Sequence, residues 1–248
     1  MSQTITVTGM ILSATPMGEY DKRVVILTKE RGKISAFAKG SRRQNSMLMG
    51  QTNPFAFGEF SLYEGRTSYT LVQANISNYF MELTTDLEGA YYGLFFMEFA
   101  DYYTREYNDE TQMLKLLYQS LKALASGRLN RNLVRYIFEL KALVINGEYP
   151  EVFRCTHCGS TEKGVLFSSQ GHGLICEDCV SMAKDGIRIS GSTLYALQFI
   201  VSSSIEKLYT FTVSDEVLDE LRRVLGQYVG MYVDKHFKSL EILEMCLK

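Results

Sequence analysis

Two Cys-x-x-Cys pairs, CTHC at 155–158 and CEDC at 176–179, are the residues in this chain best spaced for chemistry. Seventeen residues separate them, a spacing at which two knuckles can turn all four thiolates toward one tetrahedral ion. Glycines at 159, 171 and 173 allow the tight turns such knuckles need. The set predicts zinc on Cys155, Cys158, Cys176 and Cys179, with a redox pair or unmetallated thiols as the alternatives. Four thiolates saturate zinc and leave no position for water, so the expected role is structural. His157 and His172 lie among the cysteines, but a complete thiolate set makes both of them non-ligands. Cys246 is expected to sit in a terminal helix without chemistry of its own. A zinc knuckle can touch nucleic acid, yet this one carries few cations, Arg154 and Lys163. A staple holding an insert against a helical domain is the favoured reading.

The second group is cationic. AFAKGSRRQNSM, at 36–47, sets Lys39, Arg42 and Arg43 around a glycine directly after an apolar run. The 248-residue chain has a net charge of −2, but residues 1–80 carry nine Lys/Arg against five Asp/Glu. The segments 81–150 and 151–248 are each acidic by three. An anionic partner would therefore bind at the N-terminal third; a merely solvated surface is the competing explanation.

Groups for covalent catalysis are not found. The chain has no P-loop, no Gly-x-Gly-x-x-Gly after a strand and no Gly-x-Ser-x-Gly. Residues 1–150 contain no histidine, and His236 is the one histidine outside the cysteine segment. Glu98 and Asp101 have the i, i+3 spacing of a metal-nuclease pair, but no second pair accompanies them and a solvated face explains them better. The chain is not expected to be an enzyme, and the saturated ligand set argues against a zinc hydrolase.

The elements that must position these groups change character along the chain. At 46% hydrophobic and 22% charged, the composition is that of an ordinary globular protein. No basic leader precedes an apolar segment at the start, and no run approaches the roughly 18 apolar residues of a membrane span, so the expected setting is the cytoplasm. The β-branched runs at 4–12 and 23–28, then 33–40, 54–65 and 68–77, predict five strands, with turn chemistry in SATPMGEYDK and a hairpin across EGRT. Five short strands without a helical period suggest a small barrel. From Thr85 the period becomes helical: TDLE offers a capping box with Thr85 at the N-cap, and helices are expected over 86–105, 110–126 and 131–146. Asp109 should open the second of these and Gly127 close it, and the aromatic face around Tyr92, Phe95 and Phe99 should be core. Helices at 189–208 and 214–237 follow the cysteine segment. The class is α+β: an N-terminal five-stranded barrel at 1–80 and a helical domain at 81–248, with a zinc insert at about 151–185.

Four stretches together, GEYDKRVVILTKERGKISAFAKGSRRQNS (18–46), PFAFGEFSLYEGR (54–66), GEYPEVFRCTHCG (147–159) and GHGLICEDC (171–179), resemble the bacterial RecO DNA-repair family. The resemblance implies an OB-fold at the N-terminus, a helical domain and a four-cysteine zinc insert. It also implies binding of single- and double-stranded DNA, annealing of complementary strands, and work with RecR to load RecA onto DNA coated by single-stranded-DNA-binding protein. On that basis Lys39, Arg42 and Arg43 would meet phosphates at the exit of the third strand, flanked by Lys22 and Arg23 of the first hairpin. The acidic, apolar tail of the single-stranded-DNA-binding protein would need guanidinium groups beside an apolar pocket. Arg131 and Arg135, four apart on one helix, are the candidates, though they could equally neutralise nearby glutamates or contact DNA. The rival function is a zinc-stapled adaptor whose barrel binds a protein.

Overall fold

The computed structural model describes residues 3–66, 68–161 and 164–246; Thr67 of the EGRT hairpin and Lys163 of the insert lie outside them. Five strands come first: β1 (Gln3–Met17), β2 (Asp21–Thr28), β3 (Gly32–Ala38), β4 (Phe57–Glu64) and β5 (Tyr69–Asn78). They close into a barrel in the order β1-β2-β3-β5-β4, with β4 pairing back onto β1. Only the β3–β5 pair is parallel, and it is short, joining Ala36 to Tyr69 and Phe37 to Thr70. This is the arrangement of an OB-fold.

Alternation drives the closure. In β3, Ile34, Ala36 and Ala38 are buried while Ser35 and Phe37 face outward; Val24 and Ile26 of β2 likewise point inward and Arg23 out. The barrel core is completed by Val7, Ile11, Phe60, Leu62 and Leu71, with Leu48 of the short helix α1 (Leu48–Gln51) added to it. β1 serves two neighbours and bends at a register shift between Ile11 and Ser13. Where it crosses β4, Gly9 pairs with Gly58, and a Cβ on either would overlap a backbone carbonyl, of Leu27 or of Asn75. The SATPMGEYDK segment is less of a turn than expected. β1 runs on through Pro16, which pairs with Lys22, and the turn is confined to Gly18–Tyr20. Pro16 lies beside the turn, one pair from the end of the β1–β2 ladder, where a missing ladder donor costs least.

Helix α2 (Met81–Thr84) is followed by α3 (Leu87–Tyr103) and α4 (Thr111–Ser126). The cap of α3 is Asp86, whose carboxylate accepts from the Gly89 N–H; Thr85 instead ends α2. Both residue types cap well, and the unforeseen α2 takes Thr85 first. Tyr92, Phe95, Phe96 and Phe99 are fully buried, so the aromatic face of α3 is core as expected. Asp109 Oδ1 accepts from Thr111 N at 3.0 Å, and Gly127 follows α4 with φ +62°. The helix expected over 214–237 ends early, as α7 (Asp215–Tyr232), and the terminal helix expected around Cys246 is α8 (Lys238–Cys246). Phe237, between them, meets Phe95 edge-to-face at 5.3 Å and lies tilted against Phe99 at 5.5 Å, and α8 packs on α3.

By contact the chain forms two compact units, residues 1–125 with 237–248 and residues 126–236. The second unit holds α5 (Arg131–Ile145), α6 (Gly191–Ser202) and α7 around the cysteine insert. The insert is not irregular: β6 (Gly164–Ser168), β7 (Gly173–Cys176) and β8 (Ile187–Arg188) make a three-stranded sheet in the order β7-β6-β8. Buried Lys141 of α5 donates to the carbonyls of Ile200, Val201 and Ser203, satisfying the C-terminal end of α6. Among the described residues no helix is long and apolar enough to cross a membrane.

Candidate nucleic-acid interface and metal centre

The cysteines converge. Cys155, Cys158, Cys176 and Cys179 place their sulfurs within 4.8 Å of one another, and Cys158 Sγ lies 3.6 Å from Cys176 Sγ. Tetrahedral ligands at a Zn–S distance of ~2.3 Å would stand about 3.8 Å apart, so the donor set fits a metal of that size and softness. Each knuckle has a local cause. Gly159, at φ +75°, returns its N–H to Cys155 O at 2.9 Å, and Thr156 N bonds to Leu174 O of β7 at 2.8 Å. Cys176 ends β7, and the 3-10 turn Glu177–Met182 brings Cys179 round to it. Burial opposes ionisation of Cys155, but the N–H groups of Cys158, Cys176 and His157 hold its thiol down at about 6. Burial and the neighbouring thiols push Cys179 up to about 12. Neither histidine side chain belongs to the cluster. His172 bonds through Nδ1 to the Tyr232 hydroxyl at 2.9 Å, which ties the β6–β7 turn to α7. Among the described residues, these four cysteines are the one group that could hold a metal; Asp101 instead pairs with Lys33 at 3.0 Å.

The turn that leaves β3 is hydrogen-bonded to the β1–β2 turn. Lys39, Arg42 and Arg43 are exposed in the turn that leaves β3. That turn is built rather than loose: Gly40 N donates to Asp21 Oδ1 at 2.7 Å, and Arg42 N donates to Tyr20 O at 2.8 Å. Arg42 also reaches Gly18 O at 3.1 Å, and the Arg43 guanidinium lies 5.2 Å over the Tyr20 ring. Lys22 turns to the other side, donating to Met49 O, Thr52 Oγ1 and Asn53 Oδ1 at 2.9–3.3 Å. Burial, with Arg42 nearby, holds its ammonium below the usual lysine value. Of the predicted five, Lys22 is thus the most committed to internal contacts.

Arg23 lies outside the barrel with Nε 2.8 Å from Ser35 Oγ, and it lines a cleft of about 690 Å³ on the β2–β3 face. Met17, Phe37, Arg66, Tyr69 and Tyr107 line the same cleft. Arg66 belongs to the β4–β5 loop. Tyr107 comes from the α3–α4 connection, which lies along the start of β3 through Tyr107 N–Arg31 O at 3.0 Å and Lys33 N–Arg105 O at 2.9 Å. Gly32 permits that approach, at φ +65° with no room for a Cβ beside Arg105 O. The β2–β3 face with the β1–β2 and β4–β5 loops is where OB-folds take oligonucleotides. Sequence reasoning missed Phe37, Arg66 and Tyr107; the alternation of β3 marks Phe37 as outward-facing, but nothing local marks Tyr107.

The predicted partner arginines lie on α5, whose N-cap Asn130 accepts from Asn132 N at 2.9 Å. Arg131 is half-buried at the first turn, and Arg135 is paired with buried Glu139.

Comparisons with known proteins match the chain in two stretches. Family models described as "Recombination protein O N terminal" and "Recombination protein O C terminal" match residues 1–80 and 84–241. Proteins named DNA repair protein RecO from Acetivibrio thermocellus and Alkaliphilus metalliredigens are 32% and 31% identical, over 95% and 94% of this chain and 94% and 96% of their own lengths. The Bacillus subtilis protein of the same name is 28% identical over 95% of this chain and 92% of its own. Matched in both halves and along nearly its whole length, the chain belongs to the RecO family.

Proposed function

We propose that the chain is a DNA-binding mediator of recombinational repair that performs no covalent catalysis. Its barrel, residues 1–80, takes DNA on the β2–β3 face, with Lys39, Arg42 and Arg43 on phosphates and Arg23 and Lys22 beside them. Phosphate contacts give affinity without sequence information, which suits a protein acting wherever damage falls. In this reading it anneals complementary strands and, with RecR, helps load RecA onto DNA coated by single-stranded-DNA-binding protein, in the cytoplasm at the nucleoid. Arg131 and Arg135 are the proposed contact for that protein's acidic tail. Zinc, on the four cysteines, contributes structure: the ion would tie two knuckles into one unit and so hold the insert's small sheet in register.

The observation that carries the reading is the coincidence of an OB-type barrel, an exposed basic turn and a cleft on one face. The test is fluorescence anisotropy of a labelled single-stranded oligonucleotide across a salt series. Binding at low salt that is lost at high salt is the expected result. No binding at any salt would favour the protein-adaptor reading instead.

A further inference from the structure

The cleft beside β3 is not simply a continuation of the basic turn. Two aromatic rings open onto it, partly buried Phe37 and Tyr107, which is 69% exposed. Its cations, Arg23 and Arg66, are exposed, and two carboxylates, Glu64 and Glu106, share the lining. Glu64 is paired with Arg31 at 3.7 Å, so the repulsion a phosphate would meet inside the cleft comes chiefly from Glu106. A neutral, flat, apolar-faced group with polar edges would meet none. The volume, about 690 Å³, falls within the ~300–1,000 Å³ of small-ligand sites.

Tyr107 is also held in place. Its backbone has φ +64°, and its N–H is fixed by Arg31 O on the turn before β3. Tyr69 is buried, and burial first, then the Tyr107 side chain, keeps its hydroxyl protonated well above the usual tyrosine range. The α3–α4 connection thus adds a wall that the five strands do not supply.

We propose that this cleft receives one unstacked nucleobase of a single strand, stacked on Phe37 and Tyr107, while Arg23 and Arg66 meet the flanking phosphates. The inference rests on the DNA-binding reading and adds a discrimination to it. A base paired within a duplex cannot enter, so the cleft favours single strands while the basic turn serves both forms. One stacked base is a weak, reversible hold, compatible with strands that must afterwards pair.

The test uses the full chain and oligonucleotides carrying 2-aminopurine, whose fluorescence is quenched by stacking. Phe37→Leu keeps apolar packing but removes the aromatic face; Tyr107→Ala removes an exposed ring, and Tyr107→Phe restores it. Each ring-deleting variant is expected to weaken single-strand affinity about tenfold and relieve quenching, with duplex affinity unchanged. Tyr107→Phe should behave as the parent. Unchanged single-strand affinity and quenching, or an equal loss for single strand and duplex, overturns the inference. If the basic-turn variant still loses DNA in that case, the DNA-binding reading stands. A parent chain that binds no DNA removes both.

Discussion

Arg135 donates from Nε to Glu139 Oε1 at 2.8 Å, one helical turn apart on α5, and the Glu139 side chain is only 5% exposed. The arginine therefore already has an internal duty as counterion to a buried carboxylate. Arg135→Ala should lower stability by about 1–3 kcal/mol, because it removes the guanidinium hydrogen-bonded to that buried carboxylate. Chemical denaturation measures this; a midpoint shift smaller than that of an exposed-arginine control would deny the pairing its weight. Arg131→Ala is consequently the cleaner probe of tail-peptide binding. It should weaken the peptide while leaving naked oligonucleotide bound.

The basic turn offers a second test. Lys39, Arg42 and Arg43 changed together to alanine should reduce the slope of log K against log salt by about two for a single strand. Affinity should fall similarly for unrelated sequences. Arg42 also ties the Gly18–Tyr20 turn, so Arg42→Lys, which keeps the charge but not the fork, separates anchoring from phosphate contact. A parental slope in the triple variant would reduce the turn to a solvated surface.

Metal removal should act locally. We expect about one zinc per chain by elemental analysis and its loss in Cys176→Ser. Proteolysis should then cut within 155–185 while the barrel fragment survives, since none of the barrel's core comes from the insert. Metal-free protein with unaltered cleavage would refute a structural role.

Acid should loosen the second unit before its helices lose their cores. Asp185 is buried enough to resist ionisation, yet the Ser168 hydroxyl at 2.6 Å and Gln170 N at 2.8 Å hold its carboxyl below the usual value. Glu220 is lowered likewise, against its burial, by the N–H and hydroxyl of Ser190. A carboxyl lowered on folding contributes stability that is full above its unfolded value and lost as pH falls through the folded one. Stability should therefore decline below about pH 4.5. Asp185→Asn should flatten that decline; an unchanged acid limb would show that the contact does not count.

Much of this was legible in the residues, for identifiable reasons. The cysteine spacing is a local code, and it brought four sulfurs together as expected. The five strands announced themselves through β-branched alternation, and their closure followed from having one buried face each. The insert's sheet was hidden because β7 is buried at every position and only four residues long, so no alternation survives. Thr85 and Asp86 are adjacent residues that both cap; Asp is the stronger cap, and α2, which ends at Thr85, leaves Asp86 for α3. The cleft was the least legible part. Phe37 and Tyr107 are seventy residues apart in sequence, and a backbone pairing between a turn and a strand start unites them.

The packing of Phe237 and α8 on α3 bears on the order of folding. Residues 126–236 form an uninterrupted insertion within the first unit, which regains its final helix only at 238–246. During synthesis the second unit can condense as soon as it leaves the ribosome, since all its parts are contiguous. The first unit cannot. Until α8 emerges, the Phe95 and Phe99 surface waits uncovered, so the half made first is the half completed last.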